Sequence, residues 1–216
     1  MKRLLPQSIA LSAIVLFCSQ CTPTHSWWNA RTAGDVSAAI RALKAGGNIE
    51  YRDKYGFTPL MWAANIGTPE MVKALISAGA NVKARTKYGL TALMLAAADS
   101  KYPDVINILL SGGASVDERD EVGSTPLMMA AMSSTHPAVV RALLSAGADV
   151  EAQDGNGITP VMDAAIFHNR TTAVIEALLE AGASIDKRDK NGMTALMYAE
   201  KYPDLEKLLL ASRKHQ

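Results

Sequence analysis

The chain has 216 residues, with 22 Lys and Arg against 21 Asp and Glu, for a formal charge of +1. That balance excludes a global electrostatic pull toward nucleic acid or membrane surfaces, and no basic run with interleaved aromatics supplies one locally. Its two cysteines, Cys18 and Cys21, lie near the start, so the rest of the chain depends on no disulfide.

Lys2 and Arg3 form a positive start, and the stretch from Ile9 to Phe17 is apolar apart from Ser12. A bilayer span needs about 20 apolar residues. This shorter run matches the apolar core of an export signal, so residues 1–26 are expected to be a signal peptide. Losing Lys2 and Arg3 leaves 20 basic against 21 acidic residues, a net of −1. Cys18 and Cys21 have the spacing of a redox or metal pair, but a leader supplies no scaffold for one. Their setting resembles a bacterial lipoprotein leader, which makes Cys18 or Cys21 the expected lipidation site. Phe17 and Gln20 stand where such leaders usually carry Gly, Ala or Ser, and ordinary cleavage near Cys21 or Ser26 is the alternative.

Beyond the leader one tetrapeptide recurs: Thr58-Pro59-Leu60-Met61, Thr91-Ala92-Leu93-Met94, Thr125-Pro126-Leu127-Met128, Thr159-Pro160-Val161-Met162 and Thr194-Ala195-Leu196-Met197. Its threonines lie 33, 34, 34 and 35 residues apart. A glycine at 46, 79, 113, 147 and 182 precedes each threonine by 12 residues. All variation in length therefore falls between each threonine and the following glycine, in the turn between two helices. Thr reads as an N-cap and the Pro after it as the first helical residue. A short apolar helix follows, then a turn and a second helix with helical apolar spacing, as at Met71, Val72, Leu75 and Ile76. The glycine ends that helix in a left-handed cap. A turn then runs from Asp53 to Gly56, Asp120 to Gly123, Asp154 to Gly157 and Asp189 to Gly192.

Asp-x-x-Gly-x-Thr-Pro-Leu, two antiparallel helices and a closing Gly-Ala resemble the ankyrin repeat. The resemblance covers roughly residues 25–211. It implies an all-α repeat solenoid of about six units with β-turn fingers, atypical at both ends where the stack must be capped. The repeat domain is expected over 27–211, with a tail at 212–216. Second helices are expected to start near Asp35, Thr68, Pro103, Pro137, Thr172 and Pro203. One departure stands out. The family's usual His after Thr-Pro-Leu is Met at 61, 94, 128, 162 and 197, and this methionine row is expected to pack in the core.

The sequence holds no phosphate-binding loop, nucleophile elbow or dinucleotide fingerprint, and no His pair at metal-ligand spacing. Asp154-Gly155-Asn156-Gly157 lacks the later acidic ligand of a calcium loop. The repeat aspartates form a ladder, which does not place two carboxylates on one substrate atom. No enzymatic role, cofactor, metal or small-molecule substrate is expected.

The family's usual contact surface is the finger tips and the concave face of the first helices. Carried over by position, the tips are Lys54, Tyr55, Lys87, Tyr88, Glu121, Val122, Asn156 and the pair Lys190-Asn191. The residues before each threonine add Phe57, Leu90, Ser124, Ile158 and Met193, and the first-helix row adds Trp62, Leu95, Met129, Asp163 and Tyr198. Phe167, His168, Asn169 and Arg170 form a secondary candidate. These positions vary while the repeat frame stays constant, so they are free to carry specificity. The implied function is a monomeric, non-catalytic protein-binding module in the periplasm, attached to the membrane only through an N-terminal lipid. Its partner is expected to be another exported protein, in particular a peptidoglycan hydrolase or endopeptidase that it inhibits as an immunity protein. The alternatives are a tether that protects an exported enzyme and a secreted effector that binds host proteins.

Overall fold

A computed structural model describes residues 47–66, 68–99, 102–133, 136–167 and 172–212. The expected leader with Cys18 and Cys21, the first repeat up to residue 46, and His168, Asn169 and Arg170 lie outside the described residues. The described residues hold ten helices and no strand. In chain order they are α1 Pro59–Ile66, α2 Pro69–Ser77, α3 Ala92–Asp99, α4 Asp104–Ser111, α5 Pro126–Ser133, α6 Pro137–Ser145, α7 Pro160–Ile166, α8 Ala173–Glu180, α9 Ala195–Ala199 and α10 Pro203–Ser212. The odd-numbered helices stack in one row, and α2, α4, α6 and α8 stack in a second row behind it. This is an all-α repeat solenoid.

The helix starts follow the expected chemistry. Thr58, Thr91, Thr125 and Thr194 each accept a hydrogen bond on Oγ1 from the backbone N–H three residues on, at 3.3 to 3.4 Å. At two of these starts the methionine replies. Met61 Sδ accepts the Thr58 N–H and Met128 Sδ accepts the Thr125 N–H, each at 3.4 Å. The thioether thus closes a reciprocal box of the kind usually made by Glu or Gln. Packing is therefore not the whole role of this methionine.

The second helices end as glycine-capped turns. Gly79 has φ 93°; its N–H donates to the Ile76 carbonyl and the Ala80 N–H to the Leu75 carbonyl, a Schellman motif. The same pair of bonds closes α4, α6 and α8.

The core lies between the two rows. The inner first helices α3, α5 and α7 are apolar on nearly every side because they are covered by neighbours before, after and behind; α3 is buried from Ala92 to Ala97. Each second helix buries one stripe, such as Val105, Ile106 and Leu109 in α4. Met61, Met94, Met128 and Met162 are fully buried, as the core reading required. Met197 is not: it is 37% exposed, and among the described residues no further first helix packs over α9.

Gly89 and Gly79 separate two costs of a side chain. Both have positive φ, at 77° and 93°. A Cβ on Gly79 meets nothing within 4 Å, whereas one on Gly89 would stand 2.9 Å from the backbone N of Glu121 in the next finger. Gly79→Ala should cost about 1–2 kcal/mol, the left-handed backbone penalty alone. Gly89→Ala should cost about 1–3 kcal/mol more, because neighbouring backbone must shift. Urea denaturation of both variants checks this, and equal losses would remove the close finger contact from the account.

Candidate functional site

Each finger is a tight turn held by one side-chain oxygen. Asp53 Oδ1 accepts the N–H groups of Tyr55 and Phe57, Asp120 Oδ1 those of Val122 and Ser124, Asp154 Oδ1 those of Asn156 and Ile158, and Asp189 Oδ1 those of Asn191 and Met193. All eight bonds measure 2.8 to 3.0 Å. In the second described finger Thr86 Oγ1 does the same work at 3.2 and 3.1 Å. Neighbouring tips are then joined by one backbone bond each. Lys87 N–H donates to the Tyr55 carbonyl, Glu121 N–H to Tyr88, Gly155 N–H to Val122 and Lys190 N–H to Asn156, at 3.0, 3.3, 2.8 and 2.9 Å.

A second ladder runs beside the first, through residues the sequence reading passed over. The Arg119 guanidinium donates to the Gly123 carbonyl of its own finger at 3.0 Å and to the Gln153 carbonyl of the next at 2.6 Å. Arg52 bridges Gly56 and Arg85 in the same way, and Gln153 bridges Gly157 and Arg188. Arg85 reaches the Arg119 carbonyl with one nitrogen and Glu118 with the other, the latter at 2.7 Å. The signal was present: Arg52, Arg85, Arg119, Gln153 and Arg188 recur once per repeat, directly before the turn residue. The arginines have several forked donors and no acceptor, and the Gln153 amide nitrogen carries two donors, which suits clamping two carbonyls.

The structure divides the expected contact residues. Lys54, Lys87, Glu121, Asn156 and the tip pair Lys190-Asn191 are exposed. Tyr88 and Val122 are 55% and 51% exposed on adjacent tips. Tyr55 is half-buried, with Lys54 Nζ 4.9 Å above its ring. Trp62 and Tyr198 are half-buried, and the Trp62 ring stacks on Phe57 at 4.7 Å. Phe167 is half-buried at the end of α7.

Six other residues belong to the core and not to the exposed row. Phe57, Leu90 and Ile158 are buried because they close their fingers. Their carbonyls accept the turn residue's N–H at 2.9 to 3.1 Å, which turns their side chains in under the stack. Leu95 and Met129 are buried because first helices pack on both sides of them. Asp163 is buried too, at 3% exposure.

Asp163 is anomalous for that row. Its equivalents are Trp62, Leu95, Met129 and Tyr198, and the Asp163 Oδ1 has no partner among the described residues. The hydroxyl of Thr159, one turn earlier, is also buried without a partner. Burial pushes the Asp163 carboxyl well above the ordinary carboxylate range, and the nearby charge of Asp154 adds to the shift. On the next first helix the Tyr198 hydroxyl donates to Asp189 Oδ2 at 2.6 Å. Burial, that bond and the charges of Asp189, Asp163 and Asp154 raise the tyrosine's pKa. Burial works against ionised Asp189, but the bonds from Tyr198, Met193 and Asn191 outweigh it and lower its pKa.

Three copies of the family model described as Ankyrin repeats match residues 27–120, 65–154 and 127–216. The chain is also similar to the Ankyrin repeat, SAM and basic leucine zipper domain-containing protein 1 of Atelerix albiventris. The two are 43% identical over 47 residues, which is 22% of this chain and 10% of that protein. The protein of the same name from Mus musculus is 40% identical over 47 residues, with the same coverage. That from Eulemur macaco macaco is 35% identical over 54 residues, 25% of this chain and 11% of the relative. The matches therefore span about a tenth of those relatives' length.

The buried carboxyl makes stability depend on pH. The folded-state value lies above the ordinary 3.8, so Asp163 favours folding most below 3.8 and that contribution is lost as pH rises through the raised value. Asp163→Leu should remove this loss and gain about 1–3 kcal/mol at neutral pH, the usual cost of an unsatisfied buried polar group. Denaturant midpoints of both proteins between about pH 4 and about pH 8 test the sign. The account fails if the gap between them does not widen as pH rises.

Proposed function

The chain belongs to the ankyrin-repeat family, and on that premise we propose that it works as a rigid, non-catalytic clamp on one exported protein. Ankyrin repeats bind protein partners, and no enzyme family is indicated. The observation that carries the surface is the pair Tyr88 and Val122. These large apolar side chains are more than half exposed on adjacent tips whose backbones are hydrogen-bonded together. An exposed apolar anchor on a pre-organised frame loses little conformational entropy on binding, which favours affinity.

The location and partner rest on residues outside the described ones. Lys2, Arg3 and the apolar run Ile9 to Phe17 support export to the periplasm, with Cys18 or Cys21 as a lipid attachment point. A binder without chemistry of its own in that compartment acts by covering another protein. Inhibition of a peptidoglycan hydrolase or endopeptidase, as self-protection, is the form we favour, with the fingers covering the active-site cleft.

The full chain, tagged at its C-terminus, is the bait in a native envelope extract, beside a Tyr55→Ser/Tyr88→Ser/Val122→Ser variant. A wall hydrolase retained by the wild type, inhibited on addition of the purified chain, and held about tenfold more weakly by the variant is the expected result. Equal retention by both proteins rejects the tip surface. A retained hydrolase that keeps full activity rejects the inhibitory role and favours a tether. Recovery of the chain and its partner only outside the envelope favours the secreted effector.

A further inference from the structure

The fingers differ in charge far more than the near-neutral whole. The second described finger, residues 80–90, carries Lys83, Arg85 and Lys87 and no acidic residue. The third, 114–124, carries Asp117, Glu118, Asp120 and Glu121 against Arg119 alone. The fourth, 148–158, carries Asp149, Glu151 and Asp154 with no basic residue. Four and three acidic side chains thus face one basic one over two adjacent fingers, and the Val122–Gly155 backbone bond fixes them side by side.

The positive groups nearby do not neutralise the centre of this block. Arg119 is committed to two backbone carbonyls. Arg85 and Lys187 come from the flanking fingers and pair with Glu118 and Glu151, at 2.7 Å each. Like charges therefore interact across it. Burial raises the Asp120 carboxyl against the hydrogen bonds that its own turn donates, and the charge of Asp154 raises it further.

A second observation lies in α7, the helix that follows the fourth finger. Asp163 is 3% exposed, its Oδ1 has no partner, and the charge acting on it is that of Asp154, the residue that holds that finger. An apolar residue occupies the equivalent place in α3 and α5, so the solenoid does not require a carboxyl there. Resting on the protein-binding reading above, we propose that the third and fourth fingers, with Asp163 behind them, form an acidic docking site for a basic segment of the partner, one that presents Lys and Arg side chains.

A metal ion is the poorer fit. Among the described residues no three His, Cys, Asp or Glu side chains converge as metal ligands. The carboxylates are spread along a ladder, and long flexible cationic side chains reach such a spread where one small ion does not. Asp163 then acts as a concealed charge. Alone, it keeps its proton over a pH range in which an ordinary carboxyl does not. A cation seated on the fingers favours its ionised form, so docking releases a proton and tightens as pH rises through that range. The other groups around Asp163 do not reverse this sign. Asp154 comes from the finger and Tyr198, bonded to Asp189, from α9. Helix α5 contributes no ionisable side chain, and Glu176 and Glu180 of α8 are exposed.

The test uses the full chain and a probe peptide, acetyl-Arg-Lys-Arg-Lys-Arg-Lys-amide, with an acidic peptide of equal length as control. Titration calorimetry at about 0.15 M salt, in two buffers of different protonation enthalpy, reads affinity and proton release together. The basic peptide should bind and release a proton, and the acidic one should not bind. Glu121→Lys/Asn156→Lys, two exposed tip positions, should weaken binding about tenfold or more. Asp163→Asn should stay folded, bind a few-fold more weakly and release less proton than the wild type; Asp163→Leu serves as a second variant for the same readout. Absence of binding, binding that survives the Glu121→Lys/Asn156→Lys reversal, or a proton release undiminished without Asp163 would overturn the proposal. The reversal variant used as envelope bait separates the two readings. Capture that survives it while the tyrosine variant fails leaves the binding module standing and removes the acidic site.

Discussion

Everything else in this solenoid depends on one oxygen per repeat, the side-chain acceptor that opens each finger. It binds two successive turn N–H groups and so gives the finger one shape. A turn of one shape can meet its neighbour tip to tip, and that meeting sets the distance between repeats. The helices need this help. At five to ten residues they are too short to persist alone in water. They become stable only when the fingers present each pair to the next at a constant spacing, where apolar faces close over one another. Thr86 shows that the requirement is for an acceptor at that place, not for a charge.

Much of this was legible in the sequence because its causes are local. An N-cap, a proline after it, a glycine with positive φ and an acceptor at a turn all act within about five residues, so their period reveals the repeat and its helix ends. Burial on the putty of neighbouring repeats is not local. Ile158 and Asn156 are two residues apart in one finger, yet one is buried and the other exposed. What decides between them is the adjacent repeat, which closes over the finger base and leaves the tip in water. Leu95 and Met129 were misplaced for the same reason: a row that would face solvent on one helix pair is covered when another pair stacks on it. The bridging arginines escaped notice because a lone Arg in a loop reads as solvated surface. Only the carbonyl of the next finger, 33 or 34 residues away, gives it a structural task.

The methionine row shows how a departure from a family pattern is absorbed. The position keeps its place at the helix start and in the core. Sulfur, a weak acceptor, answers the threonine N–H at two of the starts. The side chain's flexibility lets it fill the space between successive first helices. At Met197 the same residue type lies open, because among the described residues no further first helix covers it. Chemistry is constant along the row while environment changes at its end, so position in the stack, not residue type, determines exposure.

Asp163 is the reverse case, in which environment is constant and chemistry changes. A repeat protein can accept any apolar residue at that place, and four of its five first helices carry Trp, Leu, Met or Tyr. A carboxyl there opposes the packing that surrounds it, and among the described residues no bond satisfies its Oδ1. Nearest-neighbour stacking confines the resulting loss to α7 and the units on either side. The fingers beside it carry the densest acidic charge of the described chain, so the local weakness and the local charge coincide. In a scaffold built by repetition, the informative residues are those that break the repeat without helping the fold. Here the break lies in the helix that follows the two most acidic fingers.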